Sequence, residues 1–162
     1  SITPILVAFF SGDSNLTLPI AMRHGSESLG IKRRVNAVSY PVFTIFARSG
    51  SALVTAICFV VILRSYSSLS ISFADILWIG VTSLCLSFIL GGMPVGGTFV
   101  ALTIMCTTYG RGFEAGYLLL KPVAAIIGAF ATAIDAATAM FGSYFVAFKT
   151  KSINHYDMRH FI

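Results

Sequence analysis

The sequence GGMPVGG occupies residues 91–97, at the centre of an apolar stretch that runs from residue 71 to residue 109. A membrane-spanning helix needs about 20 apolar residues, but the glycines and the proline divide this stretch into two arms that are too short to cross comfortably. Backbone groups at such a break are tolerated at membrane depth only where protein or water satisfies them. The stretch therefore predicts a re-entrant helical hairpin, with its tip at a candidate binding site.

Three further apolar stretches follow the same logic. The first is interrupted by SGDSN at residues 11–15, which predicts another hairpin. Along the chain this is the first predicted hairpin, and the hairpin at residues 71–109 is the second. Two others are long enough to cross a bilayer, and one of these is broken by ARSGS at residues 47–51. We expect an all-α membrane protein with two re-entrant hairpins and two long transmembrane helices. The predicted segments are a hairpin at 1–22, a broken helix at 35–64, a hairpin at 71–109, a helix at 115–148 and a polar tail at 149–162.

The composition excludes several classes of protein. Apolar residues make up 56% of the 162 residues and charged residues only 10%, whereas a soluble domain carries about 25% charged residues. A soluble enzyme, a nucleic-acid-binding module and a disordered segment are therefore not expected. The sequence shows no nucleophile–base pair, and its three cysteines have no metal-binding spacing. We expect no enzyme activity, no metal site and no prosthetic cofactor.

The basic residues predict the orientation of the segments. If both interrupted stretches are re-entrant, the loop at residues 23–34 and the tail lie on one side, and the loops near Arg64 and Arg111 lie on the other. The first side then holds seven basic residues and the second only two, which places the tail in the cytoplasm. The seven are Arg23, Lys32, Arg33, Arg34, Lys149, Lys151 and Arg159.

The two halves of the chain form a rough inverted repeat, because each consists of an interrupted hairpin followed by a long helix. Inverted repeats with discontinuous helices are typical of secondary transporters. The chain also starts without Met, directly in an apolar run. We therefore expect a fragment of a longer protein, located in the inner (plasma) membrane.

Three motifs carry a resemblance to a known family. The sequence SGDSNLTLP at residues 11–19 resembles a serine-rich hairpin tip followed by Thr-Leu-Pro, and residues 91–97 resemble a Gly-Val-Pro-Gly tip. Tyr40-Pro41 precedes the break at residues 47–51 by the distance at which the family has its own proline. Together they resemble the C-terminal half of the dicarboxylate/amino acid:cation symporters, the glutamate transporter family.

The resemblance implies a transport core that moves through the bilayer against a scaffold formed by the N-terminal half, which is missing here. It implies a homotrimer assembled through that scaffold. It also implies symport of a small anionic solute, such as a dicarboxylate or an acidic amino acid, with cations.

The chain departs from the family at the helix break. Where the family has Asn-Met-Asp-Gly-Thr, this sequence has Ala47, Arg48 and Ser49 in the first three positions. The family's aspartate and carbonyl oxygens suit a hard cation such as sodium, whereas a guanidinium repels it. The last helix contains Asp135, which matches either the family's first acidic position or a position nearer its asparagine, and in both registers the family's arginine is absent. The coupling ion is therefore open between sodium and a proton.

These considerations give the candidate residues. For substrate binding they are Asp13, Ser14, Asn15, Arg48, Met93, Pro94, Gly96, Asp135 and Thr138. For cation coupling they are Ser49, Gly50, Ser51, Asp13 and Asp135.

Two of these candidates have alternative roles. Burial of Arg48 in an apolar environment costs free energy. Arg48 therefore stands in for the lost cation, binds a substrate anion, or forms a structural pair with Asp135 or Asp13, and these roles do not exclude one another. Asp13 either carries a coupling charge or caps the helix that follows it. An alternative for the whole chain is a non-transporting relic or binding protein whose site is filled by an Arg–carboxylate pair.

Overall fold

The structure is a computed structural model that describes residues 2–66, 71–93, 96–110 and 112–153. Within these ranges the regular secondary structure is helical, apart from an isolated antiparallel bridge between Ile31 and Ile153, and short turns and loops connect the helices. This confirms the predicted all-α class. The helices are α1 (Thr3–Ser11), α2 (Ser14–Glu27), α3 (Arg33–Phe46), α4 (Ser49–Tyr66), α5 (Phe73–Ile89), α6 (Gly97–Tyr109) and α7 (Ala124–Lys149), with 3-10 turns at Leu90–Gly92 and Gly116–Val123.

Two helical stretches are long and apolar enough to cross a membrane. They are Arg33–Ser65, of 33 residues, and Gly116–Lys149, of 34 residues. The remaining helices are shorter. For example, the 9 residues of α1 extend about 14 Å at 1.5 Å per residue, against a hydrocarbon core of about 30 Å.

The helices end where the sequence predicts interruptions. Between α1 and α2, Gly12 adopts a left-handed conformation with φ of 60°, and Gly96 does the same before α6 with φ of 74°. Ala47 and Arg48 separate α3 from α4. Helix α2 continues beyond Met22, where the first apolar stretch ends, to Glu27. An exposed Arg23–Glu27 ion pair of 3.0 Å spans this last turn and adds slightly to its stability.

Helix α7 lies at the centre of the packing and contacts α1, α3 and α4. One buried apolar cluster joins α4, α5 and α6 around Phe59, Leu102 and Met105. A smaller one joins α2, α3 and α7 around Tyr40 and Met140. The broken helix connects the two clusters, because α3 belongs to the smaller and α4 to the larger. The break therefore lies where the two parts of the structure meet.

The first turn of α4 approaches α7 closely at Gly50. A Cβ atom at Gly50 would lie 2.7 Å from the carbonyl oxygen of Ala131 and 2.8 Å from the backbone nitrogen of Asp135. Both neighbours are backbone atoms of α7, so neither can turn aside as a side chain can. Only glycine allows this distance between the helices.

Gly50→Ala is therefore expected to lower the free energy of unfolding by about 1–3 kcal/mol. Gly128→Ala is the control, because Gly128 also lies in a helix but a Cβ atom there meets nothing within 4 Å. That change should be neutral or stabilising. Thermal melting of the two purified variants in detergent measures the difference, and equal melting temperatures would contradict the close contact.

Candidate functional site

The helix break holds a buried arginine that contacts the tip of the predicted second hairpin. Arg48 is 6% exposed. Its Nη1 donates to the carbonyl oxygens of Gly91 at 2.9 Å, Met93 at 3.0 Å and Leu90 at 3.4 Å. These carbonyls are available because α5 ends in a 3-10 turn at Leu90–Gly92. One guanidinium thus fastens the tip to the break between α3 and α4.

Asp135, in the middle of α7, accepts hydrogen bonds from the backbone N–H groups at the start of α4, on the other side of the break. It is 7% exposed, and its Oδ1 accepts hydrogen bonds from the backbone N–H groups of Gly50 at 2.8 Å and Ser51 at 3.2 Å. Its Oδ2 accepts from the Ser51 hydroxyl and lies 3.5 Å from Nε of Arg48. The carboxylate caps α4 from a neighbouring helix, so the helix dipole and the guanidinium both stabilise its charge.

The carbonyl groups freed by the break also have partners. The Ser87 hydroxyl of α5 donates to the Arg48 carbonyl at 2.7 Å. The Thr138 hydroxyl of α7 donates to the Ala47 carbonyl at 3.3 Å. The break is therefore held by side chains from both neighbouring helices, as buried backbone groups require.

Two small cavities lie beside this network, each of about 10 Å³. Such a volume holds about one water molecule, so neither cavity admits a dicarboxylate or an amino acid. The first is lined by Arg48, Ser51, Thr55, Leu86, Ser87, Leu90, Gly97, Thr98 and Ala101. The second reaches the first predicted tip and is lined by Ser14, Thr17, Leu18, Tyr40, Thr44, Thr132, Asp135 and Ala136.

The structure brings most of the predicted site residues together. Each of them takes part in a hydrogen bond or the ion pair of the network, or lines one of the two small cavities. They are Ser14, Arg48, Gly50, Ser51, Met93, Asp135 and Thr138, of which Met93 contributes its carbonyl oxygen.

Other predicted residues lie apart from the network. Ser49 and Asn15 are exposed, and the Ser49 side chain forms no hydrogen bond within the described residues. Gly96 directly precedes α6 and is not among the described hydrogen-bond partners of Arg48. Asp13 caps α2 by accepting from the Asn15 N–H at 2.8 Å, so Arg48 pairs with Asp135 rather than with Asp13. Pro94 lies outside the described residues.

Sequence reasoning missed several groups that complete the network. Ser87 was not singled out, although it lies one turn before the glycines of the predicted tip. The carbonyls of Leu90 and Gly91 could not be found, because a backbone acceptor has no residue-type signal. Thr17 and Thr132 line the second cavity. In the sequence they are ordinary threonines within helices, and nothing marks them as site residues.

The cap made by Asp13 permits a test of its charge. Asp13→Asn keeps an oxygen that accepts from the Asn15 N–H and should leave the free energy of unfolding nearly unchanged. Asp13→Ala removes the acceptor and should lower it by about 1 kcal/mol. Thermal melting of the two variants measures this. If the two lose equal stability, the negative charge rather than the cap is what matters at this position.

Interrupted apolar helices that meet at a buried charged site are a feature of secondary transporters. The chain belongs to the Sodium:dicarboxylate symporter family, whose sequence profile matches residues 1–149. This confirms the resemblance found in the motifs. Because the family is one of transporters, it also agrees with the expectation that the chain is not an enzyme.

Individual relatives match a shorter part. The chain is 29% identical over 104 residues to Neutral amino acid transporter B(0) of Homo sapiens, covering 64% of this chain and 19% of the relative. It is 29% identical over 116 residues to glt-3 of Caenorhabditis elegans, which carries the name of a sodium-dependent excitatory amino acid transporter, covering 72% of this chain and 21% of the relative. The chain thus matches about a fifth of the length of these relatives. No solved structure matches the chain significantly.

Proposed function

We propose that this chain is the transport core of a secondary transporter for a small anionic solute, a dicarboxylate or an acidic amino acid, coupled to sodium ions or protons. The observation that carries the proposal is Arg48, the one buried Lys or Arg in the described part of the chain. It lies at the helix break, beside the tip of the predicted second hairpin. A buried ionisable residue within an apolar, membrane-type segment usually marks a substrate or ion pathway.

Arg48 is held by groups that an anion can replace. Its Nη1 contacts three neutral carbonyls, and a guanidinium binds a carboxylate more strongly than a neutral oxygen, with two parallel hydrogen bonds. A solute carboxylate that takes the place of Leu90, Gly91 and Met93 releases the tip from the break. Solute binding and movement of the tip are then linked through a single side chain, as alternating access requires.

Charge balance accounts for cation coupling. Arg48 and Asp135 form a pair with no net charge, so a bound monovalent anion leaves the site with one negative charge. Moving that charge through the bilayer is costly, and one co-bound cation removes the cost. Asp135 and the hydroxyls of the second cavity are oxygen groups that can take a sodium ion or, at the carboxylate, a proton.

The proposed topology follows the positive-inside bias. Residues 1–22 and 71–109 are re-entrant hairpins of an inverted repeat, residues 35–64 and 115–148 cross the membrane, and the tail at 149–162 is cytoplasmic. The bridge between Ile31 and Ile153 supports this arrangement, because it joins the start of the tail to the loop before α3. We place the protein in the inner membrane and, through a scaffold segment outside this chain, in a homotrimer.

Uptake by the full-length protein in proteoliposomes tests the function. Labelled aspartate, glutamate and succinate are compared with glutamine, under a sodium gradient, a proton gradient or no gradient. We expect uptake of the anions above that of glutamine, driven by one of the two gradients. Uptake of glutamine alone would contradict an anionic substrate.

The alternative of a filled, non-transporting site predicts a different result. The small cavities and the Arg48–Asp135 pair fit either a transporter without bound solute or a filled relic, and membership in a symporter family favours the transporter. Absence of uptake for all four solutes under every gradient would leave the relic as the explanation.

A further inference from the structure

One end of the structure gathers basic residues from two distant parts of the chain. Three of them surround the start of α3 and two the end of α7, and all five side chains are exposed. We call this group the basic cluster: Lys32, Arg33, Arg34, Lys149 and Lys151.

Backbone contacts hold the two parts of the cluster together. The N–H of Lys32 donates to the carbonyl oxygen of Ser152 at 3.0 Å, and Ile31 forms the antiparallel bridge with Ile153. These backbone hydrogen bonds hold the start of α3 and the end of α7 next to each other, so the five basic residues lie close together in the fold.

In the described part of the chain, no acidic side chain compensates the charge of the basic cluster. None of its members forms an ion pair within the described residues, whereas the neighbouring Arg23 pairs with Glu27 at 3.0 Å. Lys32, Arg33 and Arg34 also lie at the positive end of the α3 dipole, where cations are unfavourable, and α3 has no acidic residue in its first turn. Five positive charges lie close together, without acidic partners in the described residues. Their mutual repulsion favours the binding of an anion from outside the chain.

An amphipathic cleft lies next to the basic cluster. Its volume is about 650 Å³, within the range of about 300–1,000 Å³ that is usual for sites of small organic ligands. Its walls are apolar and aromatic along α7 and cationic at the helix end. The described residues that line it are Tyr144, Phe145, Phe148, Lys149, Lys151 and Ile153.

We propose that the basic cluster and this cleft bind an anionic phospholipid, with the phosphate at the lysines and arginines and an acyl chain along Phe145 and Phe148. A free anion would use the cations but not the exposed aromatic wall. A lipid uses both, at the end of a helix that is long enough to cross the membrane. The proposal needs the membrane location of the chain but not its transport activity.

Native mass spectrometry of the full-length protein in detergent tests the site. Phosphatidylglycerol and phosphatidylcholine are added in equal amounts, and the bound lipids are counted. The test variant is Lys149→Gln/Lys151→Gln. The matched control is Arg64→Gln/Lys121→Gln, which removes two exposed cations near the opposite ends of the helices.

We expect the unmodified protein to retain phosphatidylglycerol in preference to phosphatidylcholine. The test variant should lose about tenfold or more of that preference, because each Lys or Arg near the membrane surface adds to the attraction of anionic lipid. The control variant should keep it, and inorganic phosphate should not displace the lipid. Equal loss in both variants would overturn the proposal in favour of a general effect of net charge. No preference in the unmodified protein, or displacement by phosphate, would overturn it as well. None of these outcomes depends on solute uptake.

Discussion

Arg48→Met is expected to destabilise the protein more than any other single change at the site, by about 3–5 kcal/mol. Methionine fills a similar volume but donates no hydrogen bond. The variant therefore leaves Asp135 buried without its cation and removes the donor shared by the Leu90, Gly91 and Met93 carbonyls. Thermal melting and denaturant unfolding of the purified protein in detergent measure the loss.

A double variant separates the ion pair from the rest of the site. Arg48→Met/Asp135→Asn removes both charges, and the asparagine oxygen still accepts from the N–H groups of Gly50 and Ser51. It should regain a large part of the lost stability, because no uncompensated charge remains buried. Arg64→Met, at an exposed cation, should change stability by less than about 0.5 kcal/mol. A double variant no more stable than Arg48→Met would show that the pair does not stabilise the fold.

The sequence predicts the places where helices stop because the causes are local. Glycine and proline in residues 91–97 and the polar run at residues 11–15 cannot continue a helix in an apolar environment. Arg48 is equally visible, since a charge within an apolar stretch has few acceptable surroundings. The all-helical class and the position of the central charge therefore follow from residue types and spacing alone.

The partners of that charge depend on tertiary structure. The sequence left Asp13 and Asp135 open as partners of Arg48, because both lie far from it along the chain. Asp13 is retained by its own helix as a cap, and Asp135 reaches the break because glycine at position 50 allows α4 and α7 to meet.

The helical phase of the first turn of α4 decides between two serines. The family pattern pointed to Ser49 as the position of the cation-binding aspartate. Ser51, two residues further on, instead faces α7 and donates to Asp135, while Ser49 is exposed. A rotation of about 200° separates residues two apart on a helix of 3.6 residues per turn, so the start of the helix fixes which one faces the site.

Asp135→Asn is expected to change the driving force of solute uptake. With asparagine, Arg48 alone gives the empty site one positive charge, and a bound monovalent anion brings the site to zero. The co-transported cation is then no longer needed to cross the bilayer. Uptake should become independent of the sodium or proton gradient and be driven by a membrane potential that is positive inside. Arg48 then stays buried without its carboxylate, which lowers the free energy of unfolding. Asparagine keeps the two backbone hydrogen bonds and Arg48 keeps its three carbonyl partners, so the protein should still fold.

Uptake of labelled glutamate in proteoliposomes, with the cation gradient and the potential imposed separately, measures this shift. Asp13→Asn is the matched control, because it makes the same chemical change at a carboxylate that caps α2 and does not contact Arg48. The control should keep the cation dependence of the unmodified protein. If Asp135→Asn still requires the gradient, the cation is bound elsewhere and the charge balance between Arg48 and Asp135 does not set the coupling. If Asp13→Asn loses the gradient dependence instead, the first predicted tip carries the coupling charge, and the capping role seen at Asp13 is only part of its function.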